Sequence, residues 1–154
     1  MLSHVSWFIL CIRMKNQLNT YSEKLGRIFS KIDTIIAAYF IGSFVRGEAR
    51  RDSDLDIVIV LSRLSNFDYS SVYTTVSDVL PDYHIDLRVV IPSETSPLFL
   101  FQIVKEGLNI FERDHLSRVT FEAYTVKMYY DSQHARDIYN CYLNKRFADN
   151  SYGK

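Results

Sequence analysis

Two kinds of hydrophobic pattern alternate along this chain. TIIAAYFIG at 34–42 is an unbroken β-branched and aromatic run that stops at a glycine, LDIVIVL at 55–61 reads as a second strand, and HIDLRVV at 84–90 as a third. Continuous apolar runs of this length suit strands buried on both faces. Between and before them the apolar residues recur every three or four positions. Leu18, Tyr21, Leu25, Ile28 and Ile32 precede the first run, and Phe67, Val72, Val76 and Val79 lie between the second and third. That spacing places each set on one helical face, so helices are expected to cover the strands. Pro92 ends the third strand; Ser96-Pro97 is a helix start signal, LFLFQIVKE the helix, and Gly107 its C-terminal glycine. NIFER then reads as a short edge strand. From about Asp114 two helices are expected, one with Phe121, Tyr124 and Met128 on a stripe, the other with Ala135, Ile138 and Tyr142.

The 154 residues, 47% of them hydrophobic, are enough for one packed domain and too few for two, and a single domain over 14–150 is expected. Lysine plus arginine equals aspartate plus glutamate at 18 each, so the net field gives no reason to expect direct nucleic-acid binding or membrane attachment. Function must therefore sit in a local site. Cys11 and Cys141 lie far apart with no neighbouring cysteine to form a metal knuckle or redox pair. Both read as free thiols, which suits a reducing, cytoplasmic setting. The opening apolar run, Val5 to Ile12, is too short to span a bilayer and lacks the marks of a signal peptide. Residues 1–13 are read as an N-terminal extension, with translation expected to begin at Met14.

The candidate chemistry lies in GSFVRGEARRDSDLDIVIV, residues 42–60, where acids stand at every second position at the mouth of the most hydrophobic run. Side chains alternate across a strand, so Asp54 and Asp56 point to one face while Leu55, Ile57 and Ile59 point to the other. Carboxylates beside a buried strand are costly to desolvate without a compensating cation. A hard divalent cation such as Mg²⁺ takes oxygen ligands and bridges protein carboxylates to nucleotide phosphates, which makes it the expected partner. Gly42 lets backbone approach a bound group closely, and Ser43 adds a hydroxyl and an N–H at the start of a helical turn, an anion-binding arrangement. Arg46, Arg50 and Arg51 in the connecting loop could neutralise phosphate. Asp86, in the next hydrophobic strand, can complete the acidic cluster.

Gly42-Ser43, ten residues, then Asp54-x-Asp56, with Asp86 on a later strand, resembles the signature of the polymerase-β-like nucleotidyltransferase superfamily. The resemblance implies a small mixed β-sheet flanked by helices, an α/β (α+β) fold. It also implies two Mg²⁺ ions held by Asp54, Asp56 and Asp86, and ATP gripped through a nucleotide-binding set of Gly42, Ser43, Arg46 and Ser53. Within that superfamily the short length, the 42–60 core, PLFLFQIVKEGLNIFERD and the helical tail FEAYTVKMYYDSQHARDIYN resemble the minimal nucleotidyltransferase (MNT) antitoxins of HEPN/MNT toxin–antitoxin pairs, over residues from about 14 to 145. That likeness implies transfer of AMP from ATP to a tyrosine of a partner HEPN ribonuclease toxin. The partner's usual mark is an arginine followed after four to six residues by a histidine. None of His84, His115 or His134 has an arginine at that spacing, so the chain does not resemble the toxin itself. Phe44-Val45 departs from the family, whose members often carry a basic residue and then alanine after the glycine–serine pair.

Plainer readings stand beside these. Asp52 suits a turn cap before the strand. Asp86 could be a solvent-facing acid of an edge strand. The histidines show no metal-ligand spacing. The tyrosines of the tail, Tyr124, Tyr129, Tyr130, Tyr139 and Tyr142, fit helix packing, and any exposed among them fit an interface. Two other functions remain open: transfer to a small hydroxylated molecule of the aminoglycoside type, and neutralisation of a partner by binding alone. The first ordinarily needs a second domain for the acceptor, and about forty residues after the third strand's neighbourhood are too few for one.

Overall fold

A computed structural model describes residues 20–50 and 53–148 of the chain. The Met14 start, the 1–13 extension, Cys11, Leu18, Arg51 and Asp52 lie outside the described residues. The described part opens with helix α1 (20–29). Then follow β1 (Ile35–Ile41), a single helical turn α2 (Ser43–Arg46), β2 (Leu55–Leu61), α3 (Tyr69–Val79), β3 (Ile85–Val90), α4 (Pro97–Glu106), β4 (Leu108–Glu112), α5 (His115–Asp131) and α6 (Gln133–Ala148). The four strands form one mixed sheet in the order β3-β2-β1-β4. β1 runs antiparallel to β2 and β4, and β2 parallel to β3.

The first two runs become the central strands β1 and β2, with both faces of the sheet covered, and the third becomes the edge strand β3. On one face Ala38, Phe40, Ile57 and Ile59 pack with Leu25 and Phe29 of α1 and Val72 and Val76 of α3. On the other, Tyr39, Ile41, Val58, Val60 and Val90 pack with Leu100 and Ile103 of α4 and Phe121 of α5. Burying such side chains contributes roughly 1.5–3 kcal/mol each, which is what holds the strands in this register. Arg113, just after β4, ties α1 to the sheet: its guanidinium donates to the carbonyls of Phe29 and Ser30 at the end of that helix.

The ends of α4 fall where expected, at Ser96-Pro97 and Gly107, though with different cap geometry, and the stripe of the last helix does not pack as expected. Gly107 does follow α4, but in an extended conformation, φ −73°, so no left-handed cap is formed. Its role is close packing, since a Cβ there would lie 2.4 Å from the Ile103 carbonyl oxygen. Ser96 precedes α4 without a side-chain cap; the helix starts on Pro97, whose missing N–H costs nothing there. The Ala135, Ile138 and Tyr142 stripe covers no core. α6 has no buried residue, and Ile138, Tyr139 and Tyr142 are all more than half exposed. Cys141 is a free, exposed thiol. No helix among the described residues is long and apolar enough to cross a membrane.

Candidate active site

β2 begins at Leu55, and its parallel register with β3 sets Asp56 directly beside Asp86. Both acids share the sheet face of Val58, Val60 and Val90, at the end where the strands emerge from the core. Asp56 is the more enclosed, its side chain 25% exposed against 37% for Asp86. Burial, and then the like charge of Asp86, raise the Asp56 carboxyl above its ordinary pKa, and Asp54 adds to the effect. Asp54 itself lies exposed one residue before the strand.

Gly42 explains how the pair can sit there. It follows β1 with φ 76° and ψ −153°, a region that side chains essentially exclude. A Cβ at this position would stand 2.2 Å from Asp56 Oδ2. The glycine therefore both permits the turn and leaves space for the carboxylate. Ser43 opens the helical turn α2 that follows, whose first N–H groups have no acceptor within the turn. Phe44, where the family often has a basic residue, is buried and meets Tyr83 edge-on, so it anchors the turn to the core.

The other nucleotide-binding expectations fall differently. Arg46 donates through Nε to Glu48 Oε2 at 2.8 Å and lies 3.7 Å from Glu106, so its guanidinium is turned toward these acids. Ser53 Oγ accepts the Arg50 N–H at 2.8 Å, and the Ser53 N–H returns to the Arg50 carbonyl at 3.2 Å. Ser53 thus closes the loop that delivers Asp54. Among the described residues no three acids, histidines or cysteines are drawn together closely enough to hold a metal ion as they stand. Asp56 and Asp86 form a pair, with Asp54 beside it.

Sequence reasoning missed Arg88. Its Nη2 lies 2.5 Å from Asp86 Oδ2 and 3.9 Å from Asp56 Oδ1. The signal was present in HIDLRVV, because residues two apart on a strand share a face. Arg88 is the cation the structure sets beside these acids. The donor set still suits a hard divalent ion: it is all carboxylate oxygen, burial and then the charge of Asp86 already disfavour the charged state of Asp56, and the absence of a Cβ at Gly42 gives its Oδ2 room.

The profile of the family described as "Polymerase beta, Nucleotidyltransferase" matches residues 23–116, which take in the whole sheet and α2 to α4. The chain belongs to that family. Among curated proteins, none matches this chain. Solved structures share the fold. A toxin–antitoxin crystal structure with AMP-PNP superposes with a TM-score of 0.63 at 24% identity, covering 81% of this chain and 97% of that one. A tri-AMPylated Shewanella oneidensis HEPN toxin in complex with MNT antitoxin gives 0.59 at 22% identity, over 82% and 97%. The toxin–antitoxin MntA-HepT likewise gives 0.59 at 23%, over 82% and 97%. At these identities the likeness establishes the shared architecture of this nucleotidyltransferase.

Proposed function

We propose that this nucleotidyltransferase is an antitoxin that transfers AMP from ATP to a tyrosine of a HEPN toxin. The observation that carries the reading is the pairing of Asp56 with Asp86 at the strand mouth, opposite a glycine turn that a side chain would block. Asp54, Asp56 and Asp86 would hold Mg²⁺, which neutralises phosphate charge and lowers the pKa of a nearby hydroxyl. The Gly42-Ser43 turn and Ser43 hydroxyl would receive the triphosphate through hydrogen bonds. Arg46 would meet phosphate after leaving Glu48. In the transfer the tyrosine oxygen bonds to the α-phosphorus, the bond from that phosphorus to the bridging oxygen of the β-phosphate breaks, and pyrophosphate leaves. An Asp86 oxygen would accept the tyrosine proton, a group otherwise held at neutral pH by its pKa near 10. A protein acceptor is favoured by α6, which covers no core and displays Ile138, Tyr139 and Tyr142.

The test is a transfer assay with labelled ATP and Mg²⁺ on a co-expressed neighbouring HEPN protein, alongside thermal melting. The wild-type chain should label a tyrosine of that partner. Asp54→Asn with Asp56→Asn should abolish labelling, a loss of at least about 10²-fold, and still melt cooperatively. Labelling of a small hydroxylated substrate in place of the tyrosine would end the antitoxin reading and leave nucleotidyl transfer standing. Full transfer by the double variant would refute the site.

A further inference from the structure

We propose that Arg88 is a built-in counter-cation of the acidic pair: it pairs with Asp86 and lies near Asp56 in the metal-free protein, and it competes with a divalent metal for them. The inference rests on the metal-binding reading of these acids given above. Three observations carry it. First, the guanidinium is lodged asymmetrically. Both its Nε, at 3.0 Å, and its Nη2, at 2.5 Å, go to the same oxygen of Asp86, while Asp56 is reached only at 3.9 Å. A fork that matched a carboxylate for permanent structure would spread its two donors over both oxygens. Second, the pair is inexpensive to open. Half of the Arg88 side chain is exposed, and exposed ion pairs contribute little to stability. Third, a second resting place is already in contact. The guanidinium carbon lies 5.9 Å from the ring centre of Phe99 in α4, within cation–π range, so Arg88 can release Asp86 without losing every partner.

The electrostatic consequence has a definite sign. A unit charge within about 4–6 Å shifts a proton equilibrium at a carboxylate by roughly one to three powers of ten. A divalent ion on the same oxygens meets the same positive charge and is repelled more strongly. Arg88 therefore weakens metal binding at Asp56 and Asp86, and keeps Asp86 paired until metal arrives with its nucleotide.

The experiment measures Mn²⁺ binding without nucleotide, by calorimetry and by the loss of free-ion electron paramagnetic resonance signal. It compares the wild-type chain with Arg88→Gln, Arg88→Lys and, as a blank, Asp54→Asn with Asp56→Asn. Arg88→Gln should bind Mn²⁺ about tenfold or more tightly than wild type. Arg88→Lys, which keeps the charge, should stay within a few-fold of it. The rise in melting temperature on adding Mn²⁺ should also be larger for Arg88→Gln. Equal or weaker binding by a cooperatively melting Arg88→Gln, with the wild type still binding above the blank, would overturn the proposal and leave the metal site intact. Binding no better than the blank by all chains would overturn both.

Discussion

Arg88 and Arg118 each face two carboxylates, yet the two arrangements differ in how completely they are closed. Arg118, on α5, donates to Glu112 at the end of β4 and, through Nη1, to Glu122 Oε1 at 2.8 Å. Glu122 Oε1 also accepts the hydroxyl of the buried Tyr39, at 3.0 Å. Each acid there has its own donor, and the Arg118 side chain is only 21% exposed. The result pins α5 to β1 and β4. Arg88 satisfies Asp86 alone, leaves Asp56 with a raised pKa, and is open to water. A closed network contributes to the fold; an incomplete one leaves a carboxylate without its own donor. Under the proposed function, that difference separates the structural acids Glu112 and Glu122 from the acids assigned to chemistry.

The most severe way to break the open arrangement is Gly42→Ala. Its backbone region costs a side chain about 1–3 kcal/mol, and the contact with Asp56 Oδ2 adds to that. A loss of about 3 kcal/mol in urea unfolding is expected, with transfer lost as Asp56 is pushed aside. Combining it with Asp56→Ala should recover part of that loss but not all, because the contact is relieved and the backbone strain is not. Strict additivity of the two changes would show that the carboxylate does not depend on the missing Cβ.

The closed arrangement should respond more strongly than the open one to loss of its arginine. Arg118→Gln leaves Glu112 and Glu122 without their cation in a partly buried setting, for an expected loss of about 2 kcal/mol. Arg88→Gln in metal-free buffer should cost about 0.5 kcal/mol or less, since its pair is exposed. Urea midpoints at matched ionic strength decide this, and equal losses would remove the distinction.

Much of this was readable in the chain, and the failures have physical causes. LDIVIVL at 55–61 became β2 without adjustment, because a run apolar at every position but Asp56 has few other stable uses. The meeting of Asp56 and Asp86 was legible because adjacent strands bring such positions side by side, whereas Asp54 lies one residue before β2. Arg88 obeys the same period, two positions after Asp86 on β3. The Arg118 network was not legible at all: Tyr39 and Glu122 are 83 positions apart, and no local pattern encodes their meeting. The α6 stripe misled in another way. Helical spacing of Ile138 and Tyr142 defines a face, but periodicity does not say whether the chain supplies anything to cover it.

The smallest effect tests the closed network through pH. Burial, and then the charge of Glu122, raise the Tyr39 hydroxyl above its ordinary pKa of 10.0. In the unfolded chain Tyr39 ionises near pH 10, while in the folded protein it keeps its proton. Over that window the folded state binds more protons than the unfolded one, so the Tyr39 contribution to stability falls as pH rises above about 10, by about 1.4 kcal/mol per pH unit at most. Below pH 10 the hydroxyl simply contributes its hydrogen bond to a charged acceptor, about 1 kcal/mol. Tyr39→Phe should therefore be about 1 kcal/mol less stable than wild type at pH 8, and the gap should close or reverse by pH 11. Tyr83, which is also raised, is common to both proteins and drops out of the difference. Urea unfolding of the pair at half-unit steps from pH 8 to 11 measures it. Parallel curves would mean that Tyr39 ionises as easily folded as unfolded, and that the Glu122 network is open after all.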